Sequence, residues 1–377
     1  MMKKNIACML LALMGCGGAM AQTFSSSIVP WRESRLSWDD FKGLNPMVDT
    51  LNATTGFCVQ SASHRLKKDG VKYYYYAFDT FRNTSEMWVR ESAKTANLLK
   101  YCQADFDLLE LNMRKATQEY CTDPEVVMSS AMTFYEGAYG RQSDRYRNIT
   151  NEGENVEETN KMYADVQEEL ARTAYDPVGH VSQLTRSWGY VGSIGLEAHA
   201  PFSAYVGPCV GLTMGLQFLW RHNMLGLDIG LLAGGRCHKD IISSDGTIHD
   251  GESVKSASGM LTYGYNLSQG LKRLEVTPFL GFGVRTYDGG QQDLEFQAPK
   301  GSHEIEIVGP QLALGCVLDL ALDRRVYIKY NDLKVNEHRR VLRLKPYFNF
   351  TRYSNDLGWV PAINLTVEYG SLVRRLK

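Results

Sequence analysis

Any chemistry in this chain has to come from a short roster of side chains. Tyr101, Cys102, Asp105, Asp107 and Glu110 fall within about three turns of one helical stretch, 98–114. Cys102 could serve as a nucleophile if His64 or His180 stood beside it to take its proton. A buried, inert thiol is the plainer reading. His238 and His249, with acidic neighbours, could gather a metal ion, but a solvated loop carries the same residues. His180 reads as a leftover ligand or as a polar turn residue. No GxSxG, Walker A or basic tract is present. Gly281/Gly283 and Gly234/Gly235 lack the following helix that a phosphate cradle needs.

The element that must position the first group is an amphipathic helix. Leu98, Cys102, Phe106, Leu109, Met113 and Ala116 recur at three- and four-residue steps and form one apolar stripe. No Gly or Pro interrupts 92–120, and Arg114 and Lys115 sit towards the end, as the helix dipole prefers. Before it, Trp38-Asp-Asp-Phe-Lys-Gly43 is an aromatic turn. Strands are expected over 54–63 and 71–79, joined at the Asp69-Gly70 hairpin signal. After it, 122–185 is mostly helical, with a polar loop at 148–158.

The N-terminus reads as a processing signal. Lys3 and Lys4 precede a short apolar run and the small-x-small site Ala19-Met-Ala21, so the mature chain is expected to start at Gln22 outside the cytoplasm. Leu13-Met-Gly-Cys16 also resembles a lipoprotein box, which would lipidate Cys16. Six cysteines remain after cleavage, an even number that permits disulfides but forms no CxxC pair. The net charge of −1 implies no nucleic-acid partner.

From about residue 187 the pattern changes. Val210, Leu212, Met214, Leu216, Phe218 and Trp220 alternate with Gly211, Thr213, Gly215 and Gln217. The same dyad period recurs over 225–231, 274–287, 308–320 and 359–369. Runs of about ten residues or more, a glycine-rich small face and alternating short and long connections favour a transmembrane barrel over a soluble sandwich. Trp188, Tyr190, Trp220, Tyr263, Tyr265, Tyr353, Trp359 and Tyr369 would form interfacial girdles. Nine runs are visible, including 303–320 and 324–332. A single-chain barrel needs an even number, and eight is the choice, with ten as the alternative.

Several spaced elements of the first part agree with a known pattern. Trp38-Asp-Asp-Phe-Lys-Gly43, Glu86-Met-Trp-Val89, the helix residues Gln103, Phe106, Asp107 and Glu110, and Tyr175-Asp-Pro-Val-Gly-His180 with Gln183 and Trp188 resemble a bacterial family of unknown function described as secreted zinc proteases. That family carries a His-Glu-Gln-x-His-Phe-Asp helix, in which two histidines hold zinc and the glutamate acts as base. In this chain those three positions are Tyr101, Cys102 and Asp105, so the resemblance implies a degenerate site without metal or cofactor.

The expected fold is an α+β zincin-like N-terminal domain (22–186, after a 1–21 signal peptide) followed by an all-β antiparallel barrel of about eight strands (187–377). The expected function is a non-enzymatic outer-membrane protein with a periplasmic binding or structural domain, whose partners are membrane lipid and a periplasmic protein or peptidoglycan. The alternatives are a secreted peptidase with an unrecognised site and a soluble two-domain binding protein.

Overall fold

The computed structural model describes residues 27–45, 52–243, 246–268, 273–289, 305–330, 334–353 and 357–377. The expected signal peptide and Cys16 lie outside the described residues. Five strands open the chain: β1 (Ile28–Pro30), β2 (Ala53–Thr54), β3 (Phe57–Lys68), β4 (Val71–Asn83) and β5 (Trp88–Val89). Four helices follow: α1 (Ala96–Thr122), α2 (Met128–Thr150), α3 (Val156–Arg172) and α4 (Pro177–Gln183). The rest is β: β6 (Arg186–Pro201), β7 (Cys209–Trp220), β8 (Asn223–Arg236), the small hairpin β9 (Ile241–Ser243) and β10 (Gly246–Ile248), β11 (Ser253–Tyr265), β12 (Leu274–Gly289), β13 (Ile305–Ile328), β14 (Val335–Arg352) and β15 (Trp359–Leu376).

These elements form two compact units. The first holds the chain up to Gln60 with Phe78–Met113 and Tyr135–Thr173; the second holds Ser61–Ala77, Arg114–Phe134 and Ala174–Lys377. The expectation of an α+β domain followed by a separate, wholly antiparallel barrel is therefore corrected. The chain is mostly β, with the four helices in its middle. The end of β13 also takes a parallel partner from the first part of the sequence, with Val71–Tyr75 of β4 opposite Arg324–Ile328. The physical reason lies in the strand itself. Val71-Lys-Tyr-Tyr-Tyr-Tyr76 is β-forming on both faces, and β13 outruns β12, whose pairing ends at Leu274 opposite Leu320, leaving that side of Arg324–Ile328 to pair with β4. Tyr74 stacks on Tyr327 with ring centroids 4.9 Å apart, and Tyr76 on Tyr330 at 5.2 Å. Lys72 closes the pairing on Asp323 at 2.8 Å. The β3–β4 turn has Asp69 and Gly70 at φ +51° and +75°, the two positive values a type I′ hairpin needs.

In the second unit β6, β7, β8, β11, β12, β13, β14 and β15 pair antiparallel in that order, and β15 returns to β6. The ring is closed, so it has no free edge. Over the described residues the separate runs expected at 303–320 and 324–332 join in one strand, β13 (Ile305–Ile328). Its register against β14 shifts between Ala321 and Asp323, and this bulge interrupts the alternation that the sequence displays.

Alternation decides which face is which. Val210, Leu212, Met214, Leu216, Phe218 and Trp220 all point outward and are at least half exposed. The same face continues through Leu225, Leu227, Ile229 and Leu231 on β8 and through Leu280, Phe282 and Val284 on β12, all of them exposed. Most of the expected girdle is also outward: Trp188, Tyr190, Trp220, Tyr263, Tyr265, Trp359 and Tyr369 are exposed. Tyr353 is the exception. It is buried, packing beside Tyr287 with ring centroids 5.4 Å apart in a cluster with Ile241, Ile248, Ile305 and Val360. Among the described residues no helix is long and apolar enough to cross a membrane.

The first unit is built on the N-terminal half of α1. Leu98, Cys102, Ala104 and Phe106 pack with Leu36, Met87, Val89 and Met162. Leu108 and Leu111 meet Val166 and Leu170 of α3. Asn155 caps α3 by accepting from the Glu158 amide.

Candidate functional site

The three positions that a zinc helix would use are structural here. Asp105 is buried on α1, and both its oxygens are engaged: Ser143 Oγ donates to Oδ1 at 2.7 Å and Tyr139 OH to Oδ2 at 3.1 Å. Burial raises the Asp105 pKa, and the hydrogen bonds from Ser143 and Tyr139 and the nearby Arg147 oppose that only in part. Burial, then Asp105, pushes both the Cys102 thiol and the Tyr101 phenol well up, so neither offers an anion near neutral pH.

The family-like residues around them also hold structure. Asp107, fully buried, accepts from Trp31 Nε1 (2.7 Å), Arg35 Nη1 (2.7 Å), Gln103 Nε2 (2.7 Å) and Gln167 Nε2 (2.5 Å). Gln103 Oε1 accepts from the Leu36 amide, Glu110 accepts from Thr80 Oγ1, and Phe106 stacks on Phe57. Asp107 thus ties the N-terminal segment, α1 and α3 together through one carboxylate.

His180 lies on α4 in the second unit, where burial and then Lys329 lower its pKa. His64 stacks on Tyr75. His249 faces Asp240 at 3.6 Å on the surface. Among the described residues no three metal-ligating side chains converge, and the six described cysteines are free thiols.

Asp105 carries a testable sign. Its folded pKa is raised, so its contribution is present below the unfolded carboxylate pKa and is lost as pH rises through the folded one. Asp105→Asn is therefore expected to gain stability relative to the natural chain as pH rises above the unfolded carboxylate pKa of about 4. Asp105→Ala, which strands Ser143 and Tyr139, is expected to lose about 1–3 kcal/mol. Thermal melts of both variants across that rise in pH check the difference.

The concentration of polar chemistry that the sequence reading missed is inside the ring. Arg285 Nη2 meets Glu197 Oε1 at 3.0 Å, and Tyr347 OH donates to the same oxygen at 2.8 Å. His199 joins this layer through Asn364 (2.7 Å) and Tyr287 OH (2.8 Å). Lys345 pairs with Asp228 at 2.5 Å and Arg343 with Asp319 at 2.7 Å. The inward glycines give these side chains room: a Cβ on Gly230 would lie 2.7 Å from Glu197 Oε2, and one on Gly215 2.9 Å from Asp228 Oδ1.

A second charged cluster sits towards the end of the ring where β6 begins and β15 finishes. Glu275 takes Arg186 at 2.7 Å, Arg339 at 2.5 Å and Arg374 at 3.4 Å. Glu337 takes Arg339 at 2.5 Å and faces Arg324 at 3.6 Å. Beside this cluster is a cavity of about 730 Å³, lined by Val71 and Tyr73 of β4, Val178 and Val181 of α4, and Leu184, Arg186, His222, Leu267 and Arg324.

No protein-family model matches the chain, and no curated protein matches it. Solved structures match about half of it. Neisserial surface protein A matches at 10% identity and a TM-score of 0.32, over 49% of this chain and 96% of that one. The attachment invasion locus protein Ail of Yersinia pestis matches at 8% and 0.29, over 49% and 99%. A major outer membrane protein from Thermus thermophilus matches at 15% and 0.26, over 48% and 99%. These neighbours are outer-membrane β-barrel proteins, and none bears on the zinc-protease-like segment.

Proposed function

We propose that this chain is a non-catalytic protein of the cell envelope, anchored in the outer membrane by a narrow barrel that carries a periplasmic binding or structural part. The observation that carries this reading is the closed ring of eight antiparallel strands, with an apolar outer face and a lumen filled by ion pairs. An outward belt of half-exposed leucines, isoleucines and phenylalanines has no use in water and is what lipid tails cover. A lumen packed with arginine–carboxylate pairs makes the barrel an anchor rather than a wide pore.

Sidedness rests on the connections. Arg221 and His222 alone join β7 to β8, at the end where β6 starts and β15 stops. The β8–β11 connection at the opposite end is long enough to hold its own hairpin. Barrels of this class keep short turns and termini in the periplasm, so the residues before β6 belong on that side.

The degenerate helix supports a pseudo-protease rather than a peptidase, since Asp105 has both oxygens engaged and Tyr101 and Cys102 stay protonated. Its Asp107 hub makes α1 a scaffold for holding a periplasmic protein or peptidoglycan-side partner. The purified protein is expected to carry no stoichiometric zinc and to leave casein uncut. One equivalent of zinc with chelator-sensitive cleavage overturns the non-catalytic reading.

A further inference from the structure

We propose that the outer edge of β3, from Ser61 to Lys67, takes an acidic, extended peptide segment as an added strand. The inference gives the binding role proposed above a surface, and rests on that reading only for the side of the membrane on which the partner lies.

Within the second unit the sheet continues beyond the ring. β13 pairs with Val71–Tyr75 of β4, and β4 pairs with β3 on its other side. Among the described residues no strand follows β3. The Asp69-Gly70 turn fixes the register, because a two-residue hairpin makes Lys68 and Val71 a hydrogen-bonded pair. His64 stacked on Tyr75 and the Arg65 guanidinium over Tyr74 continue that register. Ala62, His64, Leu66 and Lys68 then turn their N–H and C=O groups towards β4. Ser61, Ser63, Arg65 and Lys67 turn theirs away. These four residues are exposed, and their outward backbone groups have no partner among the described residues. Such a row of donors and acceptors is the template onto which another strand adds.

Charge selects the partner. Residues 61–70 carry Arg65, Lys67 and Lys68 against Asp69. Lys72 is neutralised by Asp323, whereas Arg65, Lys67 and Lys68 have no ion-pair partner among the described residues. Arg65 and Lys67 stand two apart and so share a face with Ser61 and Ser63. Acidic side chains at alternate positions of a neighbouring strand meet them there, and opposite charges across a strand pair attract. A second copy of this edge would bring three more cations to it, and lysine on an edge keeps like edges apart.

The test is fluorescence anisotropy of a labelled octapeptide of alternating valine and glutamate, titrated with the full chain in detergent micelles. Sidedness plays no part there, so a wrong side and a missing site give separate results. Saturable binding is expected. An octapeptide of alternating valine and lysine, and the glutamate peptide N-methylated at its glutamates so that it cannot complete the ladder, are each expected to bind at least about tenfold more weakly. Ser63→Pro removes an N–H that faces away from β4, so the hairpin keeps its own ladder. It is expected to weaken binding by at least about tenfold while the heat-dependent gel shift of the barrel is kept. Arg65→Glu combined with Lys67→Glu is expected to reverse the preference between the two charged peptides. No saturable binding, or equal binding by the natural chain and Ser63→Pro, overturns the added strand. Equal binding of the glutamate and lysine peptides overturns the acidic partner, as does a dimer of the chain that Ser63→Pro dissolves.

Discussion

Glu275→Gln is expected to lose about 3–5 kcal/mol of stability, because it removes one carboxylate from beneath several buried guanidinium groups. Glu275 receives Arg186, Arg339 and Arg374, and Asn266 Nδ2 donates to its Oε2 at 2.7 Å. The glutamine side chain has the same shape. It replaces one acceptor oxygen by an amide that turns two N–H donors towards guanidinium donors, and it removes the carboxylate charge that Arg186, Arg339 and Arg374 share. The converse change is milder: Arg374→Met removes one of several cations, keeps Glu275 on Arg186 and Arg339, and is expected to cost well under that. Urea unfolding of both variants from lipid, followed by tryptophan fluorescence, reads the asymmetry. Equal, small losses for the two would mean the cluster is open to water.

The second large effect is on the outer face. Met214→Arg is expected to cost about 2–4 kcal/mol of folding stability in lipid, the penalty for a guanidinium facing mid-bilayer hydrocarbon. Met214 lies midway along β7, directly opposite Ile194 of β6 and Ile229 of β8. It is 50% exposed. Ile242 on the β9–β10 hairpin is 61% exposed, yet Ile242→Arg is expected to change stability by less than about 0.5 kcal/mol, as exposed substitutions in water do. Exposure alone would make both changes mild. Refolding yield and urea midpoint in liposomes decide, and a harmless Met214→Arg would place the belt in water.

The barrel is legible in the sequence because its signal is local. Val210 to Trp220 and Leu225 to Leu231 show their outward face in alternate residues, which the period of two makes visible without any partner. Length and loop asymmetry are equally visible. The join at Ala321–Asp323 is not, because a bulge shifts the period and makes one strand look like two. The parallel contact of Val71–Tyr75 with Arg324–Ile328 has no sequence signal either, since a run of four tyrosines names no partner.

The lumen is the main loss. Thr213, Gly215 and Gln217 suggest a small, polar interior, whereas the interior is built from Arg285, Arg339, Arg343, Lys345 and their carboxylates. Several of these pairs join residues far apart in sequence, such as Glu197 with Arg285 and Asp228 with Lys345. Ring closure and register alone bring them together. On α1 the missing zinc chemistry is readable from Tyr101, Cys102 and Asp105. What replaces it, the hydrogen bonds of Asp105 to α2 and the hub at Asp107, depends on where α2, α3 and the N-terminal segment pack.

The central claim is that the β-rich unit is a closed barrel seated in the outer membrane. Membrane fractionation with gel migration before and after boiling tests it most directly. The protein is expected in the urea-washed outer-membrane fraction, with a compact band in unboiled samples that shifts on heating. Recovery in the soluble fraction with no heat-dependent shift would contradict it.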